Sequence, residues 1–214
     1  MRGMKRRHLL QLTLSPALLA ALPALAQPAF QPTPQEKADL ARIETYLDSL
    51  RTLKAQFLQV APNGAIARGT AWLARPGRMR FQYDPPSPLL LVAGHGVVIF
   101  QDKSLAQTSN ILIAQTPLGI LLADKVRFTD GVTVTGMQRQ PGQIQVSMVR
   151  TASPGDGTLT LIFADNPLTL RQWTVLDAQG QETRVTLYNA ELGGSFDPAL
   201  FELRDPGLST PNNG

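Results

Sequence analysis

The sequence predicts a mainly β protein of the α+β class, a curled antiparallel sheet or barrel of ten or eleven short strands with helices set against an open face. Three observations carry this. Short alternating apolar and polar segments follow one another through most of the chain, each bounded by Gly, Pro, Asn or Asp. A single early stretch has the spacing of a long amphipathic helix, and a single mid-chain stretch that of a short one. No internal repeat and no long linker divides the sequence.

The first residues read as an export signal. Arg2, Lys5, Arg6 and Arg7 precede an apolar run from Leu9 to Leu25 that ends at Ala24-Leu25-Ala26. Residues 1–26 therefore read as a signal peptide cut before Gln27. Gln11, Thr13, Pro16 and Pro23 interrupt the run and speak against a permanent span. Lys5-Arg6-Arg7-His8-Leu9-Leu10 fits a twin-arginine signal as well as an ordinary Sec leader, and both lead out of the cytoplasm. The leader holds four of the 20 Lys and Arg and none of the 16 Asp and Glu, so the mature chain carries 16 of each. The basic precursor thus gives no reason to expect nucleic acid as a partner. Removing 26 of 214 residues leaves 188, enough for one domain with a substantial core, taken as residues 27–206, before a polar tail read as disordered, 207–214. There is no cysteine, hence no disulfide and no lipid anchor of the lipobox kind. The longest later apolar run, Leu89 to Phe100, is broken at Gly94-His95-Gly96, so a soluble exported protein is expected.

Thr33-Pro34-Gln35-Glu36 is a helix start, with Thr33 at the N-cap, proline at the first position and Glu36 closing a capping box. Leu40, Ile43, Leu47 and Leu50 follow as one apolar stripe, with Asp39, Arg42, Glu44 and Asp48 mostly off it. The period then changes to two. Leu53–Val60, Arg68–Arg75 and Met79–Asp84 read as strands turned at Pro62-Asn63-Gly64 and Pro76-Gly77. In the third of them Met79, Phe81 and Tyr83 share one face and Arg80, Gln82 and Asp84 the other. A flexible apolar face of this kind suits a lipid cavity, although such strands are more often ordinary core. Leu89–Ala93 and Val97–Gln101 form a hairpin, and Ser104–Ala114 is expected to hold a further strand around Ile111-Leu112-Ile113. Thr116-Pro117 repeats the cap-then-proline signal before Leu118-Gly119-Ile120-Leu121-Leu122-Ala123, a short helix apolar on nearly every side. Strands are expected at Val126–Val134, Gln143–Val149, Leu159–Phe163, Leu168–Leu176 and Thr183–Leu187, and Phe201-Glu202-Leu203 as a closing strand.

Catalysis has little to work with. His95 is the one histidine of the mature chain and sits between glycines at a hairpin tip, where an exposed turn residue is the ordinary reading. A transition metal lacks its usual ligands, and the sequence calls for no cofactor. No G-x-S-x-G elbow or phosphate-binding glycine loop follows a strand. Asp124 and Asp130 lie near turns, where solvated carboxylates are usual.

Several stretches resemble the LolA-type outer-membrane lipoprotein carriers: Leu53-x-Ala55-x-Phe57-x-Gln59, Gly64 and Gly69, and Trp72-x-x-Arg75-Pro76-Gly77-Arg78-x-Arg80-Phe81-x-Tyr83. So do Leu90-Leu91-Val92, Thr116-Pro117-Leu118 with Leu121-Leu122, and Asp177-x-x-Gly180-Gln181. The resemblance implies an unclosed antiparallel β-barrel with a lid of short α-helices over an apolar cavity, and no enzymatic activity. It implies a monomeric periplasmic carrier of triacylated lipoproteins. Such a carrier loads from an ATP-driven (ABC-type) lipoprotein-releasing complex in the inner membrane and unloads to an outer-membrane receptor. On this reading Met79, Phe81 and Tyr83 line the cavity with Phe57, Leu91 and Phe100 from neighbouring strands. Leu47 and Leu50 join from the long helix, and Leu118, Leu121 and Leu122 from the lid. Arg75 matches the family's latch arginine, whose planar fork holds lid carbonyls. Arg78 and Arg80 face outward, to an acidic partner patch or to water. The sequence departs from the family at Gly94-His95-Gly96, where an acidic residue and a glycine are common, and in the looser Thr151–Gly157 loop. The alternatives are a lipid- or lipoprotein-sensing module of the same fold and, lacking a nucleophile, an enzyme of lipid metabolism.

Overall fold

The structure, a computed structural model, describes residues 30–203; the leader and the polar tail lie outside the described residues. Helix α1 (Pro34–Ser49) starts as its sequence requires. The Thr33 hydroxyl accepts from Glu36 N at 3.3 Å, and the Glu36 carboxylate accepts from Thr33 N at 2.7 Å. Leu40, Ile43 and Leu47 are buried and Leu50 closes the helix, its N–H bonded to Tyr46 O. The last turn holds no basic residue, so its free carbonyls must find donors elsewhere.

Six strands follow as a meander: β1 (Thr52–Val60), β2 (Ile66–Ala74), β3 (Arg78–Tyr83), β4 (Leu89–Gly94), β5 (Val97–Asp102) and β6 (Gln107–Leu112). A second meander comprises β7 (Val132–Gln140), β8 (Gln143–Arg150), β9 (Gly157–Ala164), β10 (Thr169–Asp177) and β11 (Glu182–Leu192). Pairing of β1 with β11 joins them into one 11-stranded antiparallel sheet, ordered β6-β5-β4-β3-β2-β1-β11-β10-β9-β8-β7. The edges β6 and β7 do not pair with each other, so the barrel is unclosed. The segment between them carries a 3-10 turn (Ile113–Gln115) and the five-residue helix α2 (Leu118–Leu122).

Alternation assigns the faces. Leu53, Ala55 and Phe57 of β1, Met79, Phe81 and Tyr83 of β3, Ile144, Val146 and Met148 of β8, and Leu159, Leu161 and Phe163 of β9 all point to the concave side and are buried with Trp173. α1 lies on that side: Tyr46 meets Phe163 edge-on at 5.7 Å and its hydroxyl accepts from Leu170 N at 3.0 Å. Gly69 faces Phe57 across the β1–β2 pair, and a Cβ there would stand 2.1 Å from Gln82 O and 2.8 Å from the Phe57 ring. Only glycine lets the ring lie over that strand.

Four sequence expectations need correction. Val126–Val134 is not a strand; Val126 and Phe128 tuck inward, with Phe128 N donating to Glu44 at 2.6 Å, and β7 begins only at Val132. Thr116 does not cap α2: its hydroxyl donates to Ile113 O at 3.2 Å and Pro117 holds the cap position. The strand expected within Ser104–Ala114 runs Gln107–Leu112, and Ile113, expected at its centre, already belongs to the 3-10 turn. Phe201 closes no sheet but ends a 3-10 turn (Pro198–Phe201) laid on the convex side of β3 and β4. Arg78 and Arg80 face outward and meet that turn: Arg80 donates to Leu200 O at 3.1 Å, and Arg78 lies 5.5 Å over the Phe201 ring.

Candidate functional site: an apolar interior under a latched lid

The concave face is a continuous apolar surface drawn from both meanders, and α1 and α2 close it. Leu47, Met79 and Leu121 are fully buried, as is Leu122 within 1%. Phe57 packs on Phe81 at 4.6 Å and on Tyr83 at 5.2 Å, and Phe81 meets Trp173 at 6.0 Å. Tyr83 ends this row at a polar margin, donating to Gln59 at 2.8 Å; burial pushes its phenol up to about 12, so it stays neutral. Among the described residues no group of His, Cys, Asp and Glu is arranged to hold a metal, and no helix is long and apolar enough to cross a membrane.

The polar side chain that joins the two helices is Arg75, placed where β2 turns into β3 and only 3% exposed. Its Nε and Nη2 donate to Ala123 O at 2.9 and 2.6 Å, and Nη2 reaches Asp124 O at 3.4 Å. Its Nη1 donates to Leu47 O and, at 3.3 Å, to Leu50 O. One planar fork thus ties the end of α1 to the end of α2, supplying the cation that the last turn of α1 lacks. Burial and the nearby Arg51 pull the guanidinium below its ordinary value while Asp48 and Asp124 oppose the shift, yet an arginine remains a cation at any physiological pH. Every acceptor is a main-chain carbonyl, which water can replace when the lid lifts.

Beyond the burial of Ile120, Leu121 and Leu122, α2 has few other polar ties. Gly77 N donates to Leu122 O at 2.8 Å, and an exposed Arg51–Asp124 pair at 2.8 Å adds little. Gly119 packs against the 3-10 turn so closely that a Cβ would lie 2.4 Å from Ile113 O. Gly119→Ala is therefore expected to cost about 1–3 kcal/mol locally and to speed amide exchange in 118–123 while the sheet stays protected.

α1 is fixed more firmly. Asp39 and Asp165 alternate with Arg42 and Arg139 in a four-charge ring: Arg42 meets Asp39 at 2.9 Å and Asp165 at 3.1 Å, and Arg139 meets Asp165 at 2.6 Å and also Asp39. The carboxylates are buried and the arginines, at 41% and 43% exposure, shield them from water. Burial raises the Asp39 carboxyl, but the bonds from Arg139, Gln35 and Arg42 outweigh it and leave a net lowering from 3.8. A lowered folded value adds stability that is complete above the unfolded value and is lost as pH falls through the folded one. Asp39→Asn is accordingly expected to lower the melting temperature at pH 7 and to differ little from the parent near pH 2, by thermal denaturation at both.

The profile of the LolA family, described as outer membrane lipoprotein carrier protein LolA, matches residues 48–204, from the end of α1 through the whole sheet. The chain belongs to the LolA family. A protein of Methylococcus capsulatus called an outer-membrane lipoprotein carrier protein is 29% identical over 180 residues, 80% of this chain and 86% of that one. One of the same name from Chromobacterium violaceum is 24% identical over 200 residues, 88% and 94% of the two chains. Among solved structures, the LolA superfamily protein NE2245 from Nitrosomonas europaea is 9% identical, covers 77% of this chain and 97% of its own, and has a TM-score of 0.42.

Of the residues expected at the cavity of this LolA-family chain, Leu47, Leu50, Phe57, Met79, Phe81, Tyr83, Leu121 and Leu122 meet in one buried cluster. Leu91 and Leu118 are half-buried at its margin, and Phe100, across from Leu91, is half-buried outside it. Sequence reasoning missed the half of the interior contributed by β8–β11, although Ile144-x-Val146-x-Met148 and Leu159-x-Leu161-x-Phe163 alternate as plainly as Met79-x-Phe81-x-Tyr83. It also missed the charge ring, placing Asp39 and Arg42 only as residues mostly off the apolar stripe.

Proposed function

We propose that this LolA-family chain is a periplasmic carrier, not an enzyme, that takes the acyl chains of lipoproteins released from the inner membrane into its concave face and delivers them to the outer membrane. The observation that carries this is the Arg75 latch: two helices covering an apolar interior are pinned by one side chain through main-chain carbonyls alone. A buried methylene is worth about 0.8 kcal/mol, so one 16-carbon chain holds a lipoprotein in a membrane by roughly 12 kcal/mol. Unaided crossing of water is therefore negligible.

A carrier must cover such chains without outbidding the receiver. Here the empty interior is satisfied by its own side chains, so an entering chain exchanges one set of apolar contacts for another. The net affinity stays moderate, and closing the latch again favours release. An ATP-driven complex of the ABC type loads the carrier and an outer-membrane receptor unloads it. Mass spectrometry of the protein purified from its own periplasm tests the reading: bound triacylated polypeptide is expected. Protein recovered during active lipoprotein export with no lipid-modified polypeptide attached would contradict it.

A further inference from the structure

Arg150 stands out as the inward-facing cation that the latch and the charge ring leave unused. Along β8, Ile144, Val146 and Met148 point to the concave face, and Arg150 continues that row. Its cross-strand partner Val132 packs against the core, as does Val134 opposite Met148. Its Nη1 lies 3.1 Å from where a Cβ on Gly119 would stand, which puts the guanidinium against the lid helix. Yet it forms no ion pair or side-chain hydrogen bond with the described residues. None of its nitrogens is among the buried atoms left unbonded, so they stay open to solvent. α2 thus sits between two arginines, Arg75 with its donors spent on main-chain carbonyls and Arg150 with five that bond no side chain or carbonyl among the described residues.

We propose that Arg150 is a binding residue for the ester carbonyls that join fatty chains to glycerol, an inference that rests on the carrier reading above. A fork that only donates requires an acceptor-rich ligand. Its place at the end of an apolar row, half-buried at the margin of the lid, is where acyl chains running under α2 give way to their polar head. Once the lid excludes water around bound lipid, the carbonyls replace the lost hydration. Both a lipoprotein's diacylglyceryl group and a phospholipid carry this chemistry.

The test compares the mature wild-type chain with Arg150→Gln and Arg150→Lys, using a synthetic triacylated lipopeptide with ester-linked chains and its ether-linked counterpart. Wild type is expected to bind the ester form about tenfold more tightly, the scale of a hydrogen bond from a charged donor. Arg150→Gln is expected to bind both forms alike, with the ether affinity and the melting temperature unchanged, and Arg150→Lys to keep part of the preference. A diacyl phospholipid and its diether analogue form a second arm; whichever pair shows the Arg150-dependent preference identifies the source of the carbonyls. Persistence of the ester preference in Arg150→Gln, or its absence in a wild type that binds both lipopeptides, overturns the role of Arg150 and leaves the carrier intact. A wild type that binds no lipopeptide overturns both.

Discussion

Arg75→Leu is expected to fold, to accept lipid, and to give it up slowly. Without the fork, the carbonyls of Leu47, Leu50 and Ala123 lose their donor. Each would cost about 1–3 kcal/mol if it stayed buried and unbonded. A five-residue helix with few other polar ties is the element that gives, so α2 is expected to swing out until water satisfies the carbonyls. The sheet and α1 keep their own contacts, and the fold survives. What disappears is the closed empty state that competes with bound lipid. If that state is worth about 2 kcal/mol, apparent affinity rises roughly 30-fold and transfer to an acceptor slows by a similar factor. Lipopeptide transfer from the variant to acceptor vesicles measures this; hand-over at the parental rate would remove Arg75 from the mechanism.

Leu121→Asp is expected to act in the opposite sense, although it too opens the lid. Leu121 is fully buried beneath α2, and a carboxylate there has no partner and no water. The lid stays out, but it also loses the apolar side chain that would cover a bound chain. Covering with one leucine is worth about 1.5–3 kcal/mol, so lipopeptide affinity is expected to fall roughly ten- to a hundredfold. Leu121→Met, which keeps volume and apolarity, serves as the control and should bind nearly as the parent does. Together the two variants separate latch from cover: one removes what holds the lid, the other what the lid offers.

Features whose physics is local were legible in the sequence. The capping box of α1 lies within four residues, and the alternation of β3 or the turn at Gly94-His95-Gly96 needs no distant partner. Arg75 as a latch rested on a motif resemblance, because its acceptors belong to segments 25 to 49 residues away. The charge ring had no local signature: Arg42 reaches Asp165 across 123 positions and Arg139 reaches Asp39 across 100. β7 was misplaced because an edge strand with exposed Thr133 and Thr135 carries little apolar signal. Val126 and Phe128, which carry more, are spent on the link that returns from the lid beneath α1. Only the β1–β11 pairing, which sets Val60 beside Arg184 and Leu53 beside Leu192, brings the two halves of the interior face to face.

The most direct measurement locks the lid. The chain has no cysteine, so replacing the exposed partners Arg51 and Asp124 with cysteine and bridging them with a short bis-maleimide ties β1's leading turn to the end of α2 without touching the interior. Lipopeptide binding by the bridged protein is expected to fall to background, while the same double variant left unbridged binds as the parent does. Undiminished binding by the bridged protein would show that acyl chains reach it without the lid opening, and would contradict the account at its centre.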